Sequence, residues 1–141
     1  MNPPRQGEIW WAEVESARRP VLVVTRSDAT AVLAGIVVAP VTRTVRHIPT
    51  EVSLGPDEGL SVECAASFDN LQRVRRSSLT ELAGDLGWRR DEICAALRTL
   101  ADCRTRQSPL RRLRSVESPI VPYSRLTSAR PSAWPQAPSG R

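Results

Sequence analysis

Between Gly7 and Leu86 the apolar residues fall in short runs, each cut off by glycine, proline or a polar turn before it reaches helix length. Gly7-Glu8-Ile9-Trp10-Trp11-Ala12-Glu13-Val14 is rich in aromatic and β-branched residues and predicts a first strand. Pro20-Val21-Leu22-Val23-Val24-Thr25 predicts a second, and its unbroken apolar run is that of a strand buried on both faces. Pro20 fits as its opening residue, where a missing N–H does least harm. Gly35 to Thr42 predicts a third strand, with Pro40 marking a bulge or an edge. Glu51 to Leu54 predicts a short fourth, closed by the turn Gly55-Pro56-Asp57-Glu58-Gly59. Ser61 to Phe68 and Leu82 to Leu86 are further strand candidates.

Helical periodicity is clear only after Trp88. Ile93, Leu97 and Leu100 recur at i, i+4 and i+7, with arginine and carboxylates on the other face. Asp91 and Glu92 fall in the first turn, where the helix dipole favours them. Many short strands and one late helix predict a mainly β fold of α+β type, a small, strongly bent barrel capped by a C-terminal helix.

The chain of 141 residues suits one domain. It carries a net charge of +5, which is unevenly spread. Residues 1–103 hold 12 arginines against 14 carboxylates, a balance of −2, whereas residues 104–141 hold 8 arginines and one glutamate, a balance of +7. The basic character therefore belongs to the tail, so the high pI says little about the folded part. All 20 cations are arginine, which a GC-rich coding sequence would explain. Residues 104–141 are dense in Arg, Ser and Pro, follow neither strand nor helix period, and hold too little apolar surface to repay ordering. We expect a folded domain over residues 1–103 and a disordered basic tail over 104–141, a solvated extension in preference to a nucleic-acid-holding arm.

Several classes of function are excluded or disfavoured. Cys64, Cys94 and Cys103 are odd in number and show no C-x-x-C spacing, so neither a disulfide framework nor a zinc site is indicated. His47 is the only histidine, which excludes histidine-pair ribonuclease chemistry and argues against a metal site. No apolar run approaches the roughly 20 residues needed to cross a bilayer. The N-terminus lacks the apolar stretch of a secretory signal, and a cytoplasmic location with no membrane association is expected.

Two positions stand out for phosphate chemistry. Arg19 precedes Pro20 and is thereby held extended at the mouth of the second strand, with a guanidinium fork suited to a phosphate. Thr42 ends the third strand, where a hydroxyl at a barrel rim can reach a ligand. Taken alone, such a pair also reads as ordinary surface residues.

A resemblance gives the pair a role. Gly7-Glu8-Ile9-Trp10-Trp11-Ala12 followed by Arg18-Arg19-Pro20-Val21-Leu22-Val23-Val24 resembles the opening strands of MazF/PemK-type toxins. Val38-Ala39-Pro40-Val41-Thr42 is similar to that family's third-strand ending. Thr50-Glu51-Val52-Ser53-Leu54, Glu58-Gly59-Leu60 and Phe68-Asp69-Asn70-Leu71 fit the same family, so the match runs from about Gly7 to Leu100. The resemblance implies the small SH3-like β-barrel shared by MazF, PemK and CcdB, here with a C-terminal helix. It implies a type II toxin that cleaves single-stranded RNA at short sequences without a metal or other cofactor, leaving 2′,3′-cyclic phosphate and 5′-OH ends. It puts the catalytic arginine on Arg19 and the catalytic threonine on Thr42, and it implies a homodimer and a cognate antitoxin.

For the base-reading groups we look to Arg18, Arg43 and Arg46 for phosphate contact or stacking, to Asp69 and Asn70 for base edges, and to Trp10 for stacking. Trp10 and Trp11 are adjacent in a strand and face opposite ways, so one of them belongs to the core. Arg73, Arg75 and Arg76 add a cationic rim or a solvated face. The stretch Glu13-Val14-Glu15-Ser16-Ala17 between the first two strands is shorter than the Gly-rich loop of many family members, which bears on cleavage specificity. Two other functions compete: a barrel toxin that binds a protein such as DNA gyrase, and a non-catalytic nucleic-acid binder working through the tail.

Overall fold

The computed structural model describes residues 2–102. The tail 104–141 and Cys103 lie outside the described residues. Seven strands and a C-terminal helix make a curled, strand-rich half-barrel of the SH3-like class that the sequence predicts. The strands are β1 (Glu8–Val14), β2 (Ala17–Val23), β3 (Gly35–Thr42), β4 (Glu51–Leu54), β5 (Cys64–Ser67), β6 (Gln72–Arg75) and β7 (Leu79–Asp85). A single turn of helix, α1 (Ser27–Thr30), links β2 to β3, and α2 (Asp91–Thr99) closes the fold.

All recorded pairings are antiparallel, in the order β4-β5-β3-β2-β1-β7, with β6 added to β3. Strand β3 is the hub. One edge pairs with β2 through Val38, Ala39 and Pro40. The other edge pairs first with β6, through Gly35 to Val38, and then with β5, through Val41 and Thr42. Pro40 is therefore neither an edge residue nor a bulge. It sits where the second edge of β3 changes partners, a place where no ladder bond is lost for want of its N–H.

Strand β2 begins earlier than its sequence suggests. Val14 pairs with Ala17, so β1 and β2 are joined by a hairpin loop of two residues, Glu15 and Ser16. Both take positive φ, 51° and 65°, as the favoured two-residue hairpin turn demands. Arg18 and Arg19 then pair with Glu13 and Ala12, and Pro20 with Trp11. Pro20 thus lies mid-strand, and Arg19 is held by ladder pairing as well as by its proline neighbour. Strand β6 was absent from the sequence expectation because Gln72-Arg73-Val74-Arg75 contains one apolar residue, Val74, which is buried while its arginine neighbours are exposed.

The continuous apolar run of β2 is explained by two cores. Leu22 and Ile9 belong to one, with Val52, Leu54, Phe68, and Ile93 and Ala96 of α2. Val21 and Val23 belong to the other, with Trp10, Ile36, Val38, Val74 and Leu79. Alternate residues of β1 and β2 feed opposite cores, so neither face of this part of the sheet is left to solvent. Helix α2 lays Ile93 and Ala96 onto the first core, while Leu100, at its C-terminal end, is 37% exposed.

Beside the first core the turn 55–59 is packed against β7. Glu58 accepts from the Gly55 N–H at 2.8 Å and from Arg89, which also bonds Glu92 and the Ser53 carbonyl. The hydrogen bonds that Arg89 donates to Glu92 and, after a partial offset by burial, to Glu58 hold its guanidinium more firmly protonated than usual. Gly59 has φ 88°, and a Cβ there would collide with the Ala83 carbonyl; a Cβ on Gly84 would collide with the Glu58 carbonyl. Among the described residues no helix is long and apolar enough to cross a membrane.

Candidate active site

Arg19 lies on β2 and Thr42 ends β3, and the register brings them to one place. Val21 pairs with Pro40, and continuing that register two residues outward puts Arg19 across from Thr42. Both line an open groove of about 660 Å³, together with Arg43, Arg46, Asn70 and Gln72. Five of the residues singled out in the sequence thus meet on one surface: Arg19, Thr42, Arg43, Arg46 and Asn70.

The polar groups are set for particular roles. Thr42 Oγ1 accepts the Thr44 N–H at 3.1 Å, a local turn that occupies its acceptor side and leaves its O–H to donate into the groove. Asn70 donates its amide N–H to Ser67 Oγ at 3.1 Å, which fixes the amide and leaves its carbonyl oxygen without a partner among the described residues. Among the described residues, Arg19 and Arg43 have no carboxylate partner, so their charge is available to an anion.

Arg46 differs. Its Nε donates to Glu51 Oε1 at 2.7 Å and its backbone N–H to Glu51 Oε2 at 2.8 Å, and Asp69 lies 3.7 Å from its Nη2. The Glu51 side chain is only 2% exposed. Burial alone would raise its pKa, but the hydrogen bonds from the Arg46 backbone and guanidinium, with that guanidinium's charge, outweigh burial and hold the carboxyl below its ordinary range. Arg46 lines the groove with its charge compensated, so it shapes the wall more than it attracts phosphate. Asp69 accepts from Thr50 Oγ1 at 2.8 Å and pins the same loop, outside the lining of the groove.

Trp10 and Arg18 lie outside the lining of the groove. Trp10 is 7% exposed, sits in the second core and donates its indole N–H to Glu8 at 2.9 Å. The half-buried Trp11 borders a second cleft beside the groove, and the Arg18 guanidinium lies over its ring, 5.1 Å from the centroid. Arg18 also pairs with Glu81 and borders the same cleft. Arg73 and Arg75 line a separate hollow, and Arg76 donates to the Thr30 and Ala31 carbonyls as a structural tether. The sequence missed Glu51 as the support of Arg46; its isolated place in a four-residue apolar strand was the available signal.

The family of PemK-like, MazF-like toxins of type II toxin-antitoxin systems matches residues 5–102. The chain belongs to this PemK/MazF-like family. It is 37% identical over 103 residues to a protein of Mycobacterium tuberculosis described as probable endoribonuclease MazF5, covering 71% of this chain and 94% of that relative. A second M. tuberculosis relative, probable endoribonuclease MazF2, is 33% identical over 101 residues, covering 70% of this chain and 99% of its own. Among solved structures of the family, M. tuberculosis toxin MazF-mt6 superposes with a TM-score of 0.62 at 31% identity, covering 66% of this chain and 94% of that one. An endoribonuclease in complex with its cognate antitoxin, from a mycobacterial species, gives a TM-score of 0.62 at 26% identity, covering 69% and 93%. The family match over residues 5–102 runs from β1 to α2, the part of the chain that builds the groove.

Proposed function

We propose that this chain is the toxin of a type II toxin-antitoxin pair and an endoribonuclease that cuts single-stranded RNA at a short sequence. The observation that carries the proposal is the groove shared by Arg19 and Thr42, in which one unpaired cation and one outward hydroxyl donor face the same space. In the reaction the 2′-oxygen of the substrate, as it loses its proton, attacks the adjacent phosphorus. The bond to the 5′-oxygen breaks, and that oxygen takes up a proton. The products are a 2′,3′-cyclic phosphate and a 5′-OH end. Charge builds on the non-bridging oxygens of the phosphorane. Arg19 stabilises it as a fixed cation, since its guanidinium effectively never deprotonates, and Thr42 donates a hydrogen bond to it. Arg19 thus supplies at the scissile phosphate the positive charge that a metal ion supplies in other nucleases, and the reaction runs without one.

Arg43 extends the cationic floor, and Asn70 offers a carbonyl oxygen to a base edge. The catalytic domain is residues 1–103, acting as a cytoplasmic homodimer, and its partner is an antitoxin whose acidic segment covers the groove. Support for the partner is that one solved relative is a complex with its cognate antitoxin.

The test is incubation of the chain with a long, structure-poor RNA in EDTA, with sequencing of the fragment ends. Discrete cuts bearing 5′-OH ends are expected. Arg19→Ala should slow them by about 10²–10³, the usual cost of one transition-state donor. A folded wild-type protein that makes no cuts refutes the nuclease and turns the search to a protein target.

A further inference from the structure

Beside the groove lies a smaller cleft of about 340 Å³, bordered by Trp11, Arg18, Pro20, Leu60, Ser61 and Val62. The two share a wall, because Thr42 and Arg43 line both. We propose that this cleft is a nucleobase pocket, which seats one unpaired base of the RNA next to the scissile phosphate and sets the cleavage sequence at that position. The proposal rests on the ribonuclease reading and adds to it the residues that choose the substrate.

The chemistry of the walls fits a flat heterocycle. Trp11 and the guanidinium of Arg18 form a stacked platform, and Glu81 pins Arg18 in place from β7. With its charge met by Glu81, Arg18 contributes a planar surface rather than a phosphate contact, and such surfaces hold unstacked bases. Pro20, Leu60 and Val62 give apolar contact on the remaining sides. Ser61 is exposed, and its hydroxyl has no partner among the described residues, so it is able to read a base edge. Ligand pockets commonly run from about 300 to 1,000 Å³, and a cleft at the small end accommodates one base, not a folded oligonucleotide.

The wall is also rigid. Residues 59–63 leave the turn that Glu58, Arg89 and Gly55 fasten, and Gly59 is pressed onto the backbone of β7. Position therefore fits as well: a strand whose phosphate is held at Thr42 and Arg43 carries its neighbouring base toward one side or the other, and on this side a preformed aromatic cleft is waiting.

Two measurements on the full chain test the pocket. A random-sequence RNA library is cut by wild type, Val62→Trp and Ser61→Ala, and the ends are sequenced. Val62 is 46% exposed at the lip, so the larger ring is accommodated by the fold and fills the cleft. The base preference at one position beside the cut should fall tenfold or more, while preferences at other positions and the end chemistry persist. Identical sequence preferences in all three proteins overturn the proposal. In the second measurement, homopolymeric 2′-O-methyl RNA octamers, which cannot be cut, are titrated against wild type and Val62→Trp, each octamer also bearing an abasic residue at successive positions. One abasic position should weaken wild-type binding about tenfold, as loss of a stacked base does, and leave the variant unchanged. A wild-type protein that cuts nothing but shows this abasic pattern loses the nuclease and keeps the pocket. Binding indifferent to every abasic position removes the pocket even where RNA is cut.

Discussion

The β1–β2 hairpin offers a quantitative prediction, because its two loop residues hold a conformation that neither prefers. Glu15 and Ser16 have φ of 51° and 65°, and the strands on either side pair directly from Val14 and Ala17. For an L-residue the left-handed region costs about 1–2 kcal/mol, which asparagine reduces and glycine escapes. Replacing Glu15-Ser16 by Asn-Gly removes most of the strain at both positions. Set against this, the new glycine frees the unfolded chain by about 0.4–1 kcal/mol. The net expectation is a gain of about 1 kcal/mol, or a Tm higher by about 4–8 °C for a domain of this size. Thermal unfolding followed by circular dichroism reads the shift, with Ser16→Val as the opposite control, expected to lower Tm by a similar amount. A double variant with unchanged or lower Tm would refute the two-residue turn, and with it the β1–β2 register that pairs Arg19 with Ala12. A slip of one residue would send Arg19 to the other face of the sheet.

Three further outcomes are expected. Thr42→Val should slow RNA cleavage by about 10²–10³, while Thr42→Ser, which keeps the donor, should retain most of the rate in single-turnover assays. Glu51→Gln should flatten the acid side of the stability profile: a carboxyl held below its ordinary value of 4.5 stabilises the fold above that value, and the contribution is lost as pH falls through the lower folded value. Urea midpoints measured from pH 7 downward would show the wild type losing stability across that window and the variant losing less. Gly84→Ala drives a Cβ into the Glu58 carbonyl and should cost about 2–3 kcal/mol by urea unfolding, since the atoms it meets are backbone and cannot swing aside.

What the sequence made legible follows from which signals are local. The bounds of β3 are those expected from its apolar run, because glycine and the polar loop after Thr42 mark its ends. The double burial of β2 was visible in Val21 to Val24. Its true start was not, since Ala17, Arg18 and Arg19 become strand only through pairing with β1, a non-local cause. The choice between Trp10 and Trp11 was hidden for a related reason. When both faces of β1 meet a core, alternation leaves no polar side to identify the outer ring. At the site, the meeting of Arg19 and Thr42 follows from strand register and was approachable from sequence with the help of family resemblance. The capture of Arg46 by Glu51 and Asp69 depends on how the chain between Thr42 and Glu51 folds back, and no periodicity reports that.

Strand β3, bonded along both edges, has a consequence for how the molecule can be silenced. Amide exchange in folded proteins spans a range, from loops that open almost freely to segments that open only with the whole molecule. A strand laddered to β2 on one side and to β6 and β5 on the other is expected to be of the second kind, and Thr42 is its last residue. Thr42, paired with Ala65 of β5, is thus carried by a laddered strand, and its backbone is expected to exchange slowly. On that expectation an inhibitor gains little by waiting for the site to come apart, because a strand paired on both edges opens rarely. Its available route is steric, lying along the groove and holding RNA out, so that release of the inhibitor returns an enzyme already assembled.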